Sequence, residues 1–333
     1  MKPFAYARPQ SLEEALAAIG APGSAALAGG TELLNWMRLG IEAPDRVVDL
    51  QLLDDLRAIT VQGDGTLRIG ALARLSEVAA DGAVARMAPV LRSAILQAAS
   101  PQLRNLATIG GNLLQRTRCP YFRAEDPVPC NRRDPGSGCA AVDGEYDNVA
   151  LFGWTERCVA THPADPPVAL AVLDAVVVTT GTDGGRRIPV RDFYVLPADR
   201  VDIDTVLAPG ELITAIEVSS PAPRSAYVKV RERSSYEFAL VSAAAAVETD
   251  GPALLRVRLA LGSVAMGPWR LGDAEEALVG LEPASPAVGH AIDDAVALAM
   301  PRPGNDWKVR LARNTLLRAV RDAAAIPDVG GIE

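Results

Sequence analysis

Histidine is nearly missing from this chain: 333 residues contain two, His162 and His290. There is no G-x-S-x-G elbow and no H-E-x-x-H pair, which excludes the usual triad hydrolase and zincin protease signatures. No pair of carboxylates is spaced for acid–base work. An enzyme so short of polar machinery leaves the chemistry to a bound cofactor. Positive charge is not in excess either. The formal net charge is −8, which argues against a bulk basic face for nucleic acid. Long apolar runs are absent: 168–173 and 175–178 are divided by Asp174, and neither nears the roughly 20 residues of a spanning helix. The opening MKPFAYARPQ holds no apolar segment of signal-peptide length. No membrane insertion is expected, and export only in company with a partner that carries an address.

Cysteine is scarce but concentrated. Cys119, Cys130, Cys139 and Cys158 fall within 40 residues, and the rest of the chain has none. Their spacing is C-x10-C-x8-C-x18-C. It lacks the close knuckles of zinc ribbons and the C-x4-C-x2-C run of plant-type [2Fe–2S] proteins. An iron–sulfur cluster, a zinc site and disulfides all remain open on spacing alone. The surrounding segment, 116–148, is dense in Pro, Gly and charge. It reads as a long irregular loop with little core of its own, stapled by its cysteines.

The rest of the chain reads as α+β. Ser11-Leu12-Glu13-Glu14 opens a helix that stops at Gly20. Residues 25–28 read as a strand running into Gly29-Gly30, then a helix to Gly40, then a strand at 46–50. A hairpin surrounds Gly63-Asp64-Gly65. Helices are expected near 76–80 and 88–99, and a strand at 106–109. Residues 168–180 read as one strand, followed by a turn at Asp183-Gly184-Gly185 and a strand at 211–218. SSPAPR (219–224) suggests a domain boundary. Three further strands and two closing helices, 273–279 and 306–324, complete the chain.

Two glycine pairs stand out. In Ala28-Gly29-Gly30-Thr31-Glu32-Leu33-Leu34, bare backbone amides and a helix start would suit a phosphate. Thr108-Ile109-Gly110-Gly111-Asn112 adds a hydroxyl and an amide side chain. Either alone is as well explained by a tight turn. Two such loops, each after a strand, suit a dinucleotide diphosphate gripped from both sides. His162, just past Cys158, either donates to a cofactor or is a hydrogen-bonded structural residue.

Ala28-Gly29-Gly30-Thr31, Ala107-Thr108-Ile109-Gly110-Gly111-Asn112 and the later Asp165 together resemble the FAD-binding (medium) subunits of the molybdenum hydroxylases, the family of xanthine dehydrogenase and carbon monoxide dehydrogenase. The resemblance covers nearly the whole chain. The segment RCPYFR…PCNRRDPGSGCAA…C-x-ATHPAD is similar to the subgroup with an extra [4Fe–4S] cluster, the FAD subunits of bacterial periplasmic aldehyde oxidoreductases.

The resemblance implies a two-part FAD-binding domain of the PCMH (vanillyl-alcohol oxidase-like) type over 1–222. Its subdomains would be 1–55 and 56–222, with a cysteine insert at 116–158. A C-terminal α+β domain of the CO dehydrogenase flavoprotein type would follow at 223–333. Leu27, Ala28, Gly29, Gly30, Thr31, Glu32, Leu33 and Leu34 would wrap the FAD diphosphate, completed by Thr108, Gly110, Gly111 and Asn112. His162 and Asp165 would contact the cofactor, and Ile213 and Lys229 would lie beside the flavin. Cys119, Cys130, Cys139 and Cys158 would ligate the cluster. Ala164 departs from relatives with a polar residue before the aspartate. No catalytic residue is implied here: substrate would be oxidised at a molybdenum cofactor in a large partner. Electrons would cross two [2Fe–2S] clusters of a small partner and leave through FAD to an external acceptor. The complex would be periplasmic if co-exported with a signal-bearing partner, otherwise cytoplasmic. Alternatives are a medium subunit of a 4-hydroxybenzoyl-CoA reductase-like enzyme, a zinc-stapled binding module, and a self-contained flavin oxidase.

Overall fold

Three sheets organise the chain in a computed structural model that describes residues 1–126, 128–182 and 184–325. The first has three parallel strands in the order Ala5–Ala7, Arg46–Asp49, Ser24–Leu27. Parallel neighbours need a crossover. Gly29-Gly30 and the helix Leu33–Arg38 supply it between Ser24–Leu27 and Arg46–Asp49, the strand–turn–helix–strand order read from sequence. The helix Leu12–Ile19 packs beneath, capped by Ser11, whose hydroxyl accepts from the Glu14 amide at 3.2 Å.

The second sheet is antiparallel, ordered Ile59–Val61, Leu67–Gly70, Leu212–Val218, Val176–Gly181, Gly184–Pro189. The hairpin at 63–65 joins its first two strands. Residues 168–180 are not one strand. Pro166–Val172 is a helix with every residue buried, and the strand begins at Val176. A short apolar run fits either state. Pro166 and Pro167 favour the first helical turn, where a missing N–H costs nothing, and Asp174 turns the chain at φ +48°. Val168, Leu170 and Val172 sit in the main core, each contributing about 1.5–3 kcal/mol by burial.

The third sheet is ordered Trp269–Arg270, Ala253–Gly262, Val241–Asp250, Ser225–Val230. The helix Trp307–Ala325 packs across the adjacent strands Val241–Asp250 and Ser225–Val230. Gly272–Ala277 and Trp307–Ala325 match the two expected closing helices, but Pro286–Val296 lies between them. Its start was written in Ser285-Pro286, a cap followed by a first-turn proline.

The cysteine segment has more core than expected. Phe122, Val149, Val159, Cys119, Cys130 and Cys158 form a buried cluster with Val201 and Met266, and the half-buried Cys139 packs against it. Asp183 of the expected turn, Pro127 of the loop, and 326–333 lie outside the described residues. No described helix is long and apolar enough to cross a membrane.

Candidate functional site

A cleft of about 810 Å³ runs between the first sheet, the segment 103–118 and the segment 233–238. That is toward the upper end of ligand-pocket sizes. The two glycine segments share one wall. Gly29 is required by close approach: a Cβ there would stand 2.0 Å from the Leu106 carbonyl oxygen. Gly30 turns the chain at φ +73°, in the left-handed region. The amides of residues 29–33 have no acceptor among the described residues. They form a row of free donors of the kind that holds phosphate.

The second segment is built differently, and this corrects the expectation of two equivalent loops. No strand precedes it; Thr108 makes a single bridge to Arg74. The glycines lie inside the short helix Ile109–Leu113. Its amides are spent internally: Ile109 on Ala73 O and Gly110 on Ala71 O, both at 2.9 Å, and Gly111 on Thr108 Oγ1 at 3.2 Å. What it offers the cleft is the bare Gly111 backbone, where a Cβ would stand 2.9 Å from Thr108 Oγ1, and the Asn112 side chain, whose Oδ1 is buried without a partner. Trp36 Nε1 and Glu32 Oε2, also at the cleft, are buried and unpaired. Three unpaired polar atoms around one cleft are hydrogen-bonding capacity left for a ligand. The other Glu32 oxygen is held by Arg118 and by Gln115 Nε2.

Residues 28–33, Thr108, Gly110, Gly111, Asn112, Asp165 and Ile213 all line the cleft. Leu27, Leu34, His162 and Lys229 do not. Leu27 and Leu34 flank Gly30, with Leu34 43% exposed. Lys229 stands behind Asp165, its Nζ 2.8 Å from Asp165 Oδ2, while Tyr227 donates to Oδ1 at 2.6 Å. Burial pushes the Asp165 carboxyl up, opposed mainly by Lys229. His162 does not line the cleft. It meets Tyr194 edge-on at 4.7 Å, and its Nε2 has no partner. Burial drives its pKa down to about 4 against the pull of Asp204, so the ring is neutral near pH 7.

Sequence reasoning missed the opposite wall. Arg233, Tyr236, Glu237 and Phe238 come from the connection between Ser225–Val230 and Val241–Asp250. Tyr236 has φ +54°, and the Arg118 guanidinium lies 4.4 Å from the Phe238 ring centroid. Two aromatics in a polar connection, in a chain with 5% aromatics, were the available signal.

All four cysteines line a second, small cavity of about 10 Å³. They are free thiols, which removes the disulfide alternative. Asn131 shapes the loop that presents two of them. Its Oδ1 accepts from Gly136 N at 3.0 Å and Gly138 N at 3.1 Å, and Cys130 and Cys139 pair as an antiparallel bridge. Burial raises the Cys119 thiol to about 12 and also raises Cys158, where it outweighs nearby Arg132. Among the described residues, no three Cys, His, Asp or Glu side chains converge to hold a single metal ion. The thiols share a cavity without sharing one ligand position.

The family described as the FAD binding domain in molybdopterin dehydrogenase matches residues 2–221, and the CO dehydrogenase flavoprotein C-terminal domain matches 226–323. The chain is 45% identical over 328 residues to the aldehyde oxidoreductase FAD-binding subunit PaoB of Escherichia coli (strain K12), covering 98% of this chain and 99% of that one. It is 27% identical to the carbon monoxide dehydrogenase medium chain of Afipia carboxidovorans, over 97% of both. A chain of the carbon monoxide dehydrogenase structure from Hydrogenophaga pseudoflava superposes with a TM-score of 0.76 at 26% identity, over 97% of both chains.

Proposed function

The chain belongs to the FAD-binding subunits of the molybdenum hydroxylases, oxidoreductases all, and on that premise we propose that it is the FAD- and [4Fe–4S]-binding subunit of a molybdenum-dependent aldehyde oxidoreductase. The observation that carries the proposal is the cleft: a row of free amides at 29–33 beside unpaired Asn112 Oδ1 and Trp36 Nε1. FAD held there supplies exchange between two-electron and one-electron carriers. The chain's own part is to hold the diphosphate on residues 28–33, to leave backbone clearance at Gly111, and to close the far wall with 233–238. Asp165 is a floor residue held by Lys229 and Tyr227.

The thiol cavity supports a cluster better than zinc. Zinc needs its four ligands within about 2.3 Å of one point, whereas a cubane takes one thiolate per iron. Four thiols lining one cavity supply the one thiolate per iron that the second demand asks for. The donor chemistry fits, but about 10 Å³ admits one water at most.

We take 1–222, with subdomains 1–55 and 56–222, as the FAD-binding domain and 223–333 as the C-terminal domain. Partners are a large molybdenum subunit, a small subunit with two [2Fe–2S] clusters and an external acceptor. The proposed location is periplasmic if the complex is co-exported with a signal-bearing partner, and otherwise cytoplasmic. The test is anaerobic purification with flavin, iron and zinc measured per chain. One FAD with about four irons is expected. Zinc without flavin would reduce the glycine loops to turns and end the proposal.

A further inference from the structure

The first glycine segment holds two opposed chemistries. Its backbone amides at 29–33 are donors without acceptors among the described residues, the chemistry of an anion site. Yet one side chain of that row is a carboxylate, Glu32, and it lines the same cleft. Glu32 is fixed in place. Arg118 donates to its Oε1, Gln115 Nε2 donates to the same oxygen at 3.3 Å, and the side chain is 16% exposed. Arg118 is held in turn by the Phe238 ring of the opposite wall, 4.4 Å from its guanidinium carbon. The second carboxylate oxygen, Oε2, is buried and takes no hydrogen bond among the described residues. A carboxylate paired with a guanidinium is ionised, and an ionised carboxylate only accepts. Asn112 Oδ1 is a second buried acceptor at the cleft without a donor, three positions before Gln115.

These two oxygens need donors, and an ionised phosphate has none to give. Its oxygens accept, and its charge repels a carboxylate. The donors of an FAD held on the amide row are its hydroxyls, the flavin N–H and the adenine amine. The last two stand at the far ends of that molecule. Hydroxyls adjoin the diphosphate on both sides, on the ribityl chain and on the adenosine ribose. We propose that Glu32 Oε2 and Asn112 Oδ1 read a hydroxyl next to the diphosphate, so that the cleft selects its dinucleotide by polyol as well as by phosphate. This holds on the reading of the cleft as the FAD site. Arg118 is a positioning residue here: it occupies one Glu32 oxygen, offsets the charge beside the amide row, and leaves the other oxygen for the ligand. A buried acceptor left unmet penalises a ligand without the matching donor, which is how such a site rejects an analogue that lacks the hydroxyl.

The test is the dissociation constant of three ligands for the flavin-stripped full chain, by equilibrium dialysis. They are FAD, FAD with a plain pentyl chain in place of ribityl, and FAD lacking the free hydroxyls of its adenosine ribose. The native chain should bind at least one analogue about a hundredfold more weakly than FAD, the scale of one hydrogen bond to a charged group. The analogue that loses affinity names the source of the hydroxyl. Glu32→Gln keeps the shape and an oxygen for Arg118 but turns an amide NH2 toward the cleft. It should bring the ratio down to about tenfold or less, by weakening FAD while the analogue's affinity holds. Asn112→Ala should shrink the ratio in the same way. A native chain that binds all three ligands alike overturns the proposal, as does a ratio undiminished in both variants. Variants that weaken every ligand equally overturn it too, since Glu32 and Asn112 would then only shape the cleft. A native chain that takes up no FAD ends the reading of the cleft itself.

Discussion

Replacing Lys229 by Met should leave a buried carboxylate without its cation, at a cost that depends on pH. The Lys229 side chain is fully buried and that of Asp165 is 5% exposed, 2.8 Å apart. Met keeps the length of the stem and deletes the charge. Breaking a buried pair from one side costs about 3–5 kcal/mol. Tyr227 still donates to Asp165, which favours the lower end. The protein has an escape, which is to protonate Asp165. Burial already holds that carboxyl above its ordinary 3.8, and losing Lys229 raises it further. Protonation costs about 1.4 kcal/mol for each pH unit above the ordinary pKa. From the ordinary 3.8 that is about 5.7 kcal/mol at pH 8 and about 1.6 kcal/mol at pH 5. The folded pKa lies above the unfolded one, so the folded state binds more protons in this window. Its stability therefore falls as pH rises. The lost Lys229 bond to Gln97 O adds about 1 kcal/mol at either pH. The penalty should thus be about 4 kcal/mol or more at pH 8 and below about 2.6 kcal/mol at pH 5. Urea midpoints of both chains at the two pH values measure it. Adding Asp165→Asn should flatten the dependence. Equal penalties at pH 5 and pH 8 would refute the account, because Asp165 would then not be a buried carboxylate answering to Lys229.

Gly111→Val should lower flavin content: a Cβ there crowds Thr108 Oγ1 at 2.9 Å, the atom that caps the helix through the Gly111 amide, and adds a branched side chain at a cleft-lining position. Full flavin content in the purified variant would remove Gly111 from the site. Cys139→Ser should lose iron while keeping the near-ultraviolet circular dichroism of the segment, because Phe122, Val149 and Val159 give it a packed apolar core. Four irons retained would break the ligand set. Lys308→Met should remove a pH slope. Burial lowers the Lys308 pKa from 10.5 to about 7, while its Nζ donates to Asn148 Oδ1 at 2.7 Å and Val149 O at 2.8 Å. The unfolded chain then binds more protons between those values, so the native chain gains stability as pH rises through that window. Melting temperatures from pH 7 to pH 9 should rise relative to the variant, and parallel curves would refute the assignment.

What was legible in the sequence was local. Gly30 needs a left-handed backbone, and that demand is met within one residue. Ser11 caps its helix through its own neighbours. The cysteines announced themselves by clustering. What was not legible depended on distant partners. Residues 166–172 form a helix because surrounding elements bury every side chain, and a continuous apolar run carries no period to show it. Tyr236 and Phe238 reach the cleft only because Ser225–Val230 and Val241–Asp250 pair antiparallel and aim their connection there. His162 was read by its nearness in sequence to Cys158. Its ring instead packs on Tyr194, 32 positions away.

The pairing of the glycine motifs was more informative than either motif, and the structure supplies the reason. A turn alone does not need glycine at position 29. The crossing of the Leu106 backbone does, since any Cβ would meet its carbonyl oxygen at 2.0 Å. The second segment in turn uses its own amides to fasten itself to Ala71 and Ala73. It is a fixed post against which the first loop leans. The first loop can then leave its amides at 29–33 unpaired among the described residues without relying on them for its shape. One loop offers donors and the other holds them in place, so neither motif makes an anion site when it occurs alone.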